Sequence, residues 1–227
     1  MTFVIKPADT PSLRVAGVED RFPVRRIYCI GRNYAAHARE MGVDERDPPF
    51  FFMKPADAIV ESGAKIHYPP KTQNYHYESE LIVGIKKTAK NVKPSEANEF
   101  IFGYGVGLDM TRRDLQMEAR EKGRPWDMGK GFDNSAPCSE LHSANIIGHP
   151  TKGRISLTVN GKTKQDADIK DMIWNVPESL SYLSTFVTLE AGDLIMTGTP
   201  SGVGPVSPGD VIVAAVEGVS ELTCTIC

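Results

Sequence analysis

The segment Asn74-Tyr75-His76-Tyr77-Glu78-Ser79-Glu80-Leu81-Ile82-Val83-Gly84-Ile85 sets two glutamates and a histidine on alternate positions at the entry to a run of strand-forming residues. In an extended chain successive side chains point to opposite faces, so His76, Glu78 and Glu80 are expected on one face and Tyr77, Ser79 and Leu81 on the other. Two carboxylates about 7 Å apart then look into one space. Like charges so placed repel each other and resist burial, so solvent, basic side chains or a metal ion must neutralise them.

Around this segment, short β-like runs bounded by Gly and Pro dominate the chain: RIYCIG from Arg26, AKIHYPP from Ala64, ISLTVNGK from Ile155, DLIMTGTP from Asp193 and DVIVAAV from Asp210. Helices are fewer. One is expected after Thr111 as N-cap, with Asp114 at the capping-box position, Gly123 as a stop and Pro125 beyond it. A second follows NVPESLSYLSTF from Asn175, where Pro177 suits the first turn and Leu180 and Leu183 recur at helical spacing. A third, shorter one is expected from Ser95 to about Phe102. The pattern LEAGDLI from Leu189 returns as VSPGDVI from Val206, each reading as a turn that feeds a strand. With no linker, low-complexity tract or composition break, the expectation is a single mixed α+β domain, mostly strand, over residues 1–227, with residues 1–25 as a lead-in.

A chain of 227 residues, 41% hydrophobic and 24% charged, suffices for one sizeable globular domain. A net charge of -3 and a pI near 6.0 lack the basic footprint of a nucleic-acid binder. The N-terminus has no cationic stretch before a long apolar core, and no apolar run approaches about 18 residues, so neither export nor membrane spanning is expected and a cytoplasmic location is. Of four cysteines, only Cys224 and Cys227 form a C-x-x-C. Their strand-like context sends them to opposite faces, which reads as two thiols in a final strand and not as a zinc or redox motif.

Beyond the glutamates, Gly103, Gly105 and Gly107 leave one face of a strand bare, as close packing of another layer requires. Their spacing is not that of a dinucleotide fingerprint. The strand ends at Asp109, a third acidic candidate, and two glutamates with one aspartate form an all-oxygen set that suits Mg2+ or Mn2+ better than Zn2+. Taken alone, E-x-E on a strand is more often a solvated face. His37 and Glu40 sit three apart, which fits a general base with its orienting carboxylate and equally an ordinary surface pair. Lys130 and the TGTPSGVGP loop around Thr199 are, by themselves, a loop lysine and a turn.

The pieces GRNYAAHAREM from Gly31, FFMKP from Phe51, HYESEL from His76, GLDMTRRDLQ from Gly107, KGRPW from Lys122, VNGKTKQ from Val159, MIWNVP from Met172 and TGTPSGVGPV from Thr197, in this order, resemble one family. It is the fumarylacetoacetate hydrolase family, in its short single-domain acylpyruvase branch, and the fuller strings from Phe22, Pro49 and Thr72 resemble its fumarylpyruvate-cleaving members. At Tyr77 relatives often carry a second histidine; being off the carboxylate face, Tyr77 is not expected to disturb a metal. The resemblance implies a β-roll that dimerises and Mg2+ or Mn2+ held by Glu78, Glu80 and Asp109. It implies His37 as base, oriented by Glu40, both on a lid over about residues 31–45. Gln116 and Lys130 would donate to substrate oxygens, with Thr199 beside them. Arg113, one helical turn from Gln116, would meet substrate or hold the acidic site together, and Arg32 or Arg124 would meet a distal carboxylate. The implied reaction is metal-dependent hydrolysis of a 2,4-dioxo acid, fumarylpyruvate giving fumarate and pyruvate in gentisate degradation. Alternatives within the family are a general acylpyruvase, an oxaloacetate decarboxylase, or an isomerase or hydratase; outside it, a metal-stabilised binding protein, against which His37 and Glu40 in the lid motif count.

Overall fold

The computed structural model describes residues 2–34 and 47–227; His37, Glu40 and most of the expected lid lie outside the described residues. Among the described residues the largest sheet has eight strands, and Ser79–Ile85 lies at its centre. Ser79–Ile85 pairs antiparallel with Ile101–Leu108 on one side and with Asp193–Met196 on the other. Asp193–Met196 pairs in turn, in parallel, with Arg26–Gly31, whose far neighbour is Phe50–Lys54. A second sheet of five strands, with Arg154–Val159, Val211–Val216 and Ser220–Ile226 at its middle, packs across this one. The chain is thus mostly strand with a few short helices, as its sequence predicts.

The central strand is buried along its whole length, and its two faces enter different cores. Tyr77, Leu81, Val83 and Ile85 pack with Leu157, Ile212, Ala214 and Leu222 of the five-stranded sheet. Ile82 packs the opposite way with Ile27, Cys29, Leu194 and Met196. Leu13 and Phe22, from the two short paired strands of the lead-in, close that second core. The alternation expected from sequence therefore holds, and it places Glu80 on the Ile82 side. On the neighbouring strand, a Cβ on Gly103 would stand 2.2 Å from the His142 carbonyl oxygen and one on Gly105 2.9 Å from that of Glu140, so the bare glycine face is where another segment presses in.

Two helical expectations need correction. Thr111 is not an N-cap: it lies in a short strand paired with His76, and the helix runs Arg113–Glu121 after Arg112. Asp114 makes no capping box; its carboxylate accepts from Thr72 Oγ1 at 2.6 Å and from the Gln73 amide at 2.9 Å. Pairing with the strand Tyr75–Tyr77 satisfies the backbone that a cap would otherwise serve. The segment expected as a helix from Ser95 is a 3-10 turn over Pro94–Phe100, and Ile101 already begins the glycine-rich strand.

By contrast, the helix Val176–Phe186 starts as expected, with Asn175 and Glu178 forming a reciprocal capping box and Pro177 in the first turn. Both GD repeats are the same turn: Asp193 and Asp210 each accept, through a carboxylate oxygen, from the amide three residues earlier, Glu190 and Ser207. Each then leads into a strand. Cys224 is buried, Cys227 is exposed, and both are free thiols.

Candidate metal centre and substrate pocket

At the mouth of the central strand, one carboxylate oxygen from each of Glu78, Glu80 and Asp109 lies within 4.8 Å of the other two, and all three side chains are buried. Glu78 precedes the strand, Glu80 lies within it, and Asp109 follows the adjacent strand, its amide bonded to the Glu78 carbonyl at 2.9 Å. The antiparallel register, Ser79 opposite Leu108, brings these acidic ends together.

Each carboxylate meets a different environment. Glu78 is ion-paired to Arg113 and, at 2.9 Å, to Lys130. Burial works to raise its carboxyl, but Lys130 and Arg113 outweigh burial and push it down to about 2. Asp109 takes Lys130 at 2.6 Å on one oxygen and Lys54 at 2.8 Å on the other. Burial would lower the Lys130 ammonium, yet Asp109 and Glu78 hold its proton above the usual value. Glu80 accepts the Gly198 amide at 2.7 Å and has no ionic partner among the described residues. Burial, Asp109 and Glu78 together raise its carboxyl well above the usual range. A buried carboxylate lacking a counter-charge, in an all-oxygen cluster, fits a hard divalent cation.

The helix Arg113–Glu121 lays Arg113, Gln116, Met117 and Arg120 along one face toward this cluster. Arg113 donates to Gln116 Oε1 at 2.5 Å, so the amide's NH2 end is left for other acceptors. Arg113 Nε also approaches His76 Nδ1 at 3.5 Å, and burial, with the Arg113 charge, pushes His76 down to about 4, leaving it neutral. The same pocket is lined by Arg32, Phe50, Trp126, Lys130 and Thr199. Arg32 has a left-handed backbone, φ 59°, a guanidinium 5.6 Å from the Phe50 ring, and a buried Nε with no hydrogen-bond partner among the described residues. Burial and the neighbouring charge of Arg120 lower its pKa.

The family model for the fumarylacetoacetate hydrolase C-terminal domain matches residues 26–227. The chain belongs to the fumarylacetoacetate hydrolase family. Among related family members, the fumarylpyruvate hydrolase of Ralstonia is 50% identical over 177 residues, 78% of this chain and 92% of that one. The crystal structure of fumarylpyruvate hydrolase from Pseudomonas aeruginosa, in complex with Mn2+ and pyruvate, superposes with a TM-score of 0.97 at 51% identity, covering 99% of both chains. The mitochondrial oxaloacetate tautomerase of Arabidopsis thaliana is 43% identical over 87% of this chain and 88% of its own.

Of the family residues expected from sequence, Glu78, Glu80, Asp109, Arg113, Gln116, Lys130, Thr199 and Arg32 line one pocket. Arg124 does not: it lines a neighbouring cavity with Met53 and Pro125, beyond the helix end at Glu121. Arg120, one turn after Gln116, takes its place in the pocket, and the helical period from Arg113 was the signal for it. Lys54 and Gln165 stand in motifs that carried the resemblance but had no role assigned. Lys54, ending the apolar strand Phe50–Lys54, is buried and donates to the carbonyls of Met110, at 3.0 Å, and Lys130.

Proposed function

We propose that this protein hydrolyses the carbon-carbon bond of an acylpyruvate, fumarylpyruvate in the first instance, to fumarate and pyruvate. The observation that carries the reading is a single pocket with a buried three-carboxylate centre and, on its lining, Arg32 and Arg120, which make no ion pair among the described residues and could meet a second carboxylate. The Mn2+ and pyruvate held by the Pseudomonas relative support it.

Glu78, Glu80 and Asp109 would hold the Mg2+ or Mn2+, which supplies Lewis-acid stabilisation of the negative charge that develops when the bond breaks. The Gln116 amide donates to an oxygen of the pyruvyl half, and Lys130, whose three N–H groups here meet Glu78, Asp109 and Thr111, would join it once a carboxylate oxygen is given over to a bound ion. Arg113 keeps Glu78 and Gln116 in place. His37, oriented by Glu40, takes a proton from water as its oxygen adds to the acyl carbonyl carbon. The carbon-carbon bond then breaks with its electron pair going to the pyruvyl fragment, which takes the proton from His37 on carbon, while the acyl half leaves as fumarate and releases the second water proton to solvent. The segment over about residues 31–45, most of it outside the described residues, would serve as the lid that excludes bulk water during these steps.

The test is loss of the ultraviolet band of fumarylpyruvate on adding Mg2+ or Mn2+, with fumarate and pyruvate formed in equal amounts. A band that persists with both ions refutes the proposal. The oxaloacetate tautomerase relative favours a second reading, proton movement on a 2-oxo acid in the same centre; tautomer exchange of oxaloacetate without acylpyruvate cleavage would select it. We extend the first reading to a cytoplasmic homodimer acting in aromatic-compound degradation, on the strength of the family resemblance.

A further inference from the structure

Gln165 lies in the strand Lys162–Asp168, at the far edge of the five-stranded sheet, and is completely buried beside the pocket loop. Its Oε1 accepts the Ser79 amide at 2.9 Å. Its Nε2 donates to Thr199 Oγ1 and to the Pro200 carbonyl, both at 2.8 Å. The amide has one possible orientation, because an N–H faces one end and a carbonyl the other. Contact here is close: a Cβ on Gly202, at φ 93°, would stand 2.1 Å from the Lys164 carbonyl oxygen, so the loop lies flat on this strand.

We propose that Gln165 is a positioning residue that fixes the Thr199 hydroxyl as a hydrogen-bond donor to substrate. With Nε2 donating to it, Thr199 Oγ1 is an acceptor on that side, and its own proton must point elsewhere. Thr199 lines the pocket, so the proton is presented to whatever oxygen sits there. Through Ser79 the same amide holds the backbone between Glu78 and Glu80, keeping donor and acidic cluster in register. The inference rests on the acylpyruvase reading only in its choice of substrate.

Gln165→Glu separates the roles. It keeps the acceptor for Ser79 but offers Thr199 an acceptor, drawing the hydroxyl proton back from the pocket. Its kcat/KM on fumarylpyruvate should fall on the order of 100-fold, the lower range for losing one preorganised donor. Thr199→Val should lose as much, Thr199→Ser little, and the double variant no more than Thr199→Val alone. Calorimetry with pyruvate on the Mn2+-loaded protein should show the same non-additive pattern in affinity, with Mn2+ affinity unchanged. If Gln165→Glu does not fold, Gln165→Met fills the space; it also takes the acceptor from the Ser79 amide, so the part of its loss carried by Thr199 should vanish in the Thr199→Val background, leaving a smaller loss there than in the wild type. Full activity in Thr199→Val, or losses at the two positions that multiply, overturns the proposal. A wild type that binds pyruvate in this way but leaves fumarylpyruvate intact would instead refute the acylpyruvase reading and leave the role of Gln165 standing.

Discussion

Lys54 Nζ stands 2.8 Å from Asp109 Oδ1 with both side chains closed off from solvent. Breaking a buried pair costs about 3 to 5 kcal/mol, and because Asp109 keeps Lys130 at 2.6 Å the loss of Lys54 should fall at the lower end of that range. Lys54→Met, close in volume, also strips the donor from the Met110 and Lys130 carbonyls. Urea unfolding should show a loss in that range, and a loss under about 1 kcal/mol, as for an exposed pair, would refute it.

Glu80→Gln should separate stability from metal binding. A glutamine oxygen still accepts the Gly198 amide, while the buried carboxylate beside Asp109 and Glu78 is gone. The metal-free variant should melt higher than the wild type. Its Mn2+ affinity by calorimetry should drop on the order of 100-fold, since charge count governs binding of hard cations. Unchanged affinity would take the centre away from Glu80.

His37→Ala should slow fumarylpyruvate hydrolysis by about 100-fold or more, the scale of a positioned general base, with little change in Mn2+ affinity. Oxaloacetate decarboxylation, if present, needs no activated water and should suffer less; equal loss of both activities would make His37 a substrate-positioning or lid-closing residue.

The arginines predict a substrate preference. A charge-assisted contact to the distal carboxylate is worth about 1.5 to 3 kcal/mol, or roughly 10- to 150-fold in kcat/KM over acetylpyruvate, which lacks that group. Arg32→Gln or Arg120→Gln should collapse the ratio, whereas Arg124→Gln, in the next cavity, should leave it intact. A ratio that survives in both of the first two variants refutes the assignment.

What could be read in advance was whatever a local pattern carries. The alternation from His76 to Ile85 placed Glu78 and Glu80 together because a strand's period admits no other arrangement. Gly103 and Gly105 announced a close neighbour, and Pro177 announced a helix start. Thr111 misled because a cap is a local preference, and pairing with His76 overrode it. Lys54 and Gln165 were invisible for a different reason. Their partners, Asp109 and Thr199, are distant in sequence, and no spacing along a chain encodes which buried amide will meet which hydroxyl.

Because the Lys130 ammonium already straddles Glu78 and Asp109, at 2.9 and 2.6 Å, the acidic cluster is held by links internal to the chain. Its shape is set when the chain folds, unlike small domains in which an ion is the keystone. A divalent ion held there as proposed would be an exchangeable guest, competing with an ammonium for the same oxygens, and its occupancy would follow the surrounding pool of free mineral. Such a protein would fall idle in scarcity without being unmade, and resume work when the ion returned.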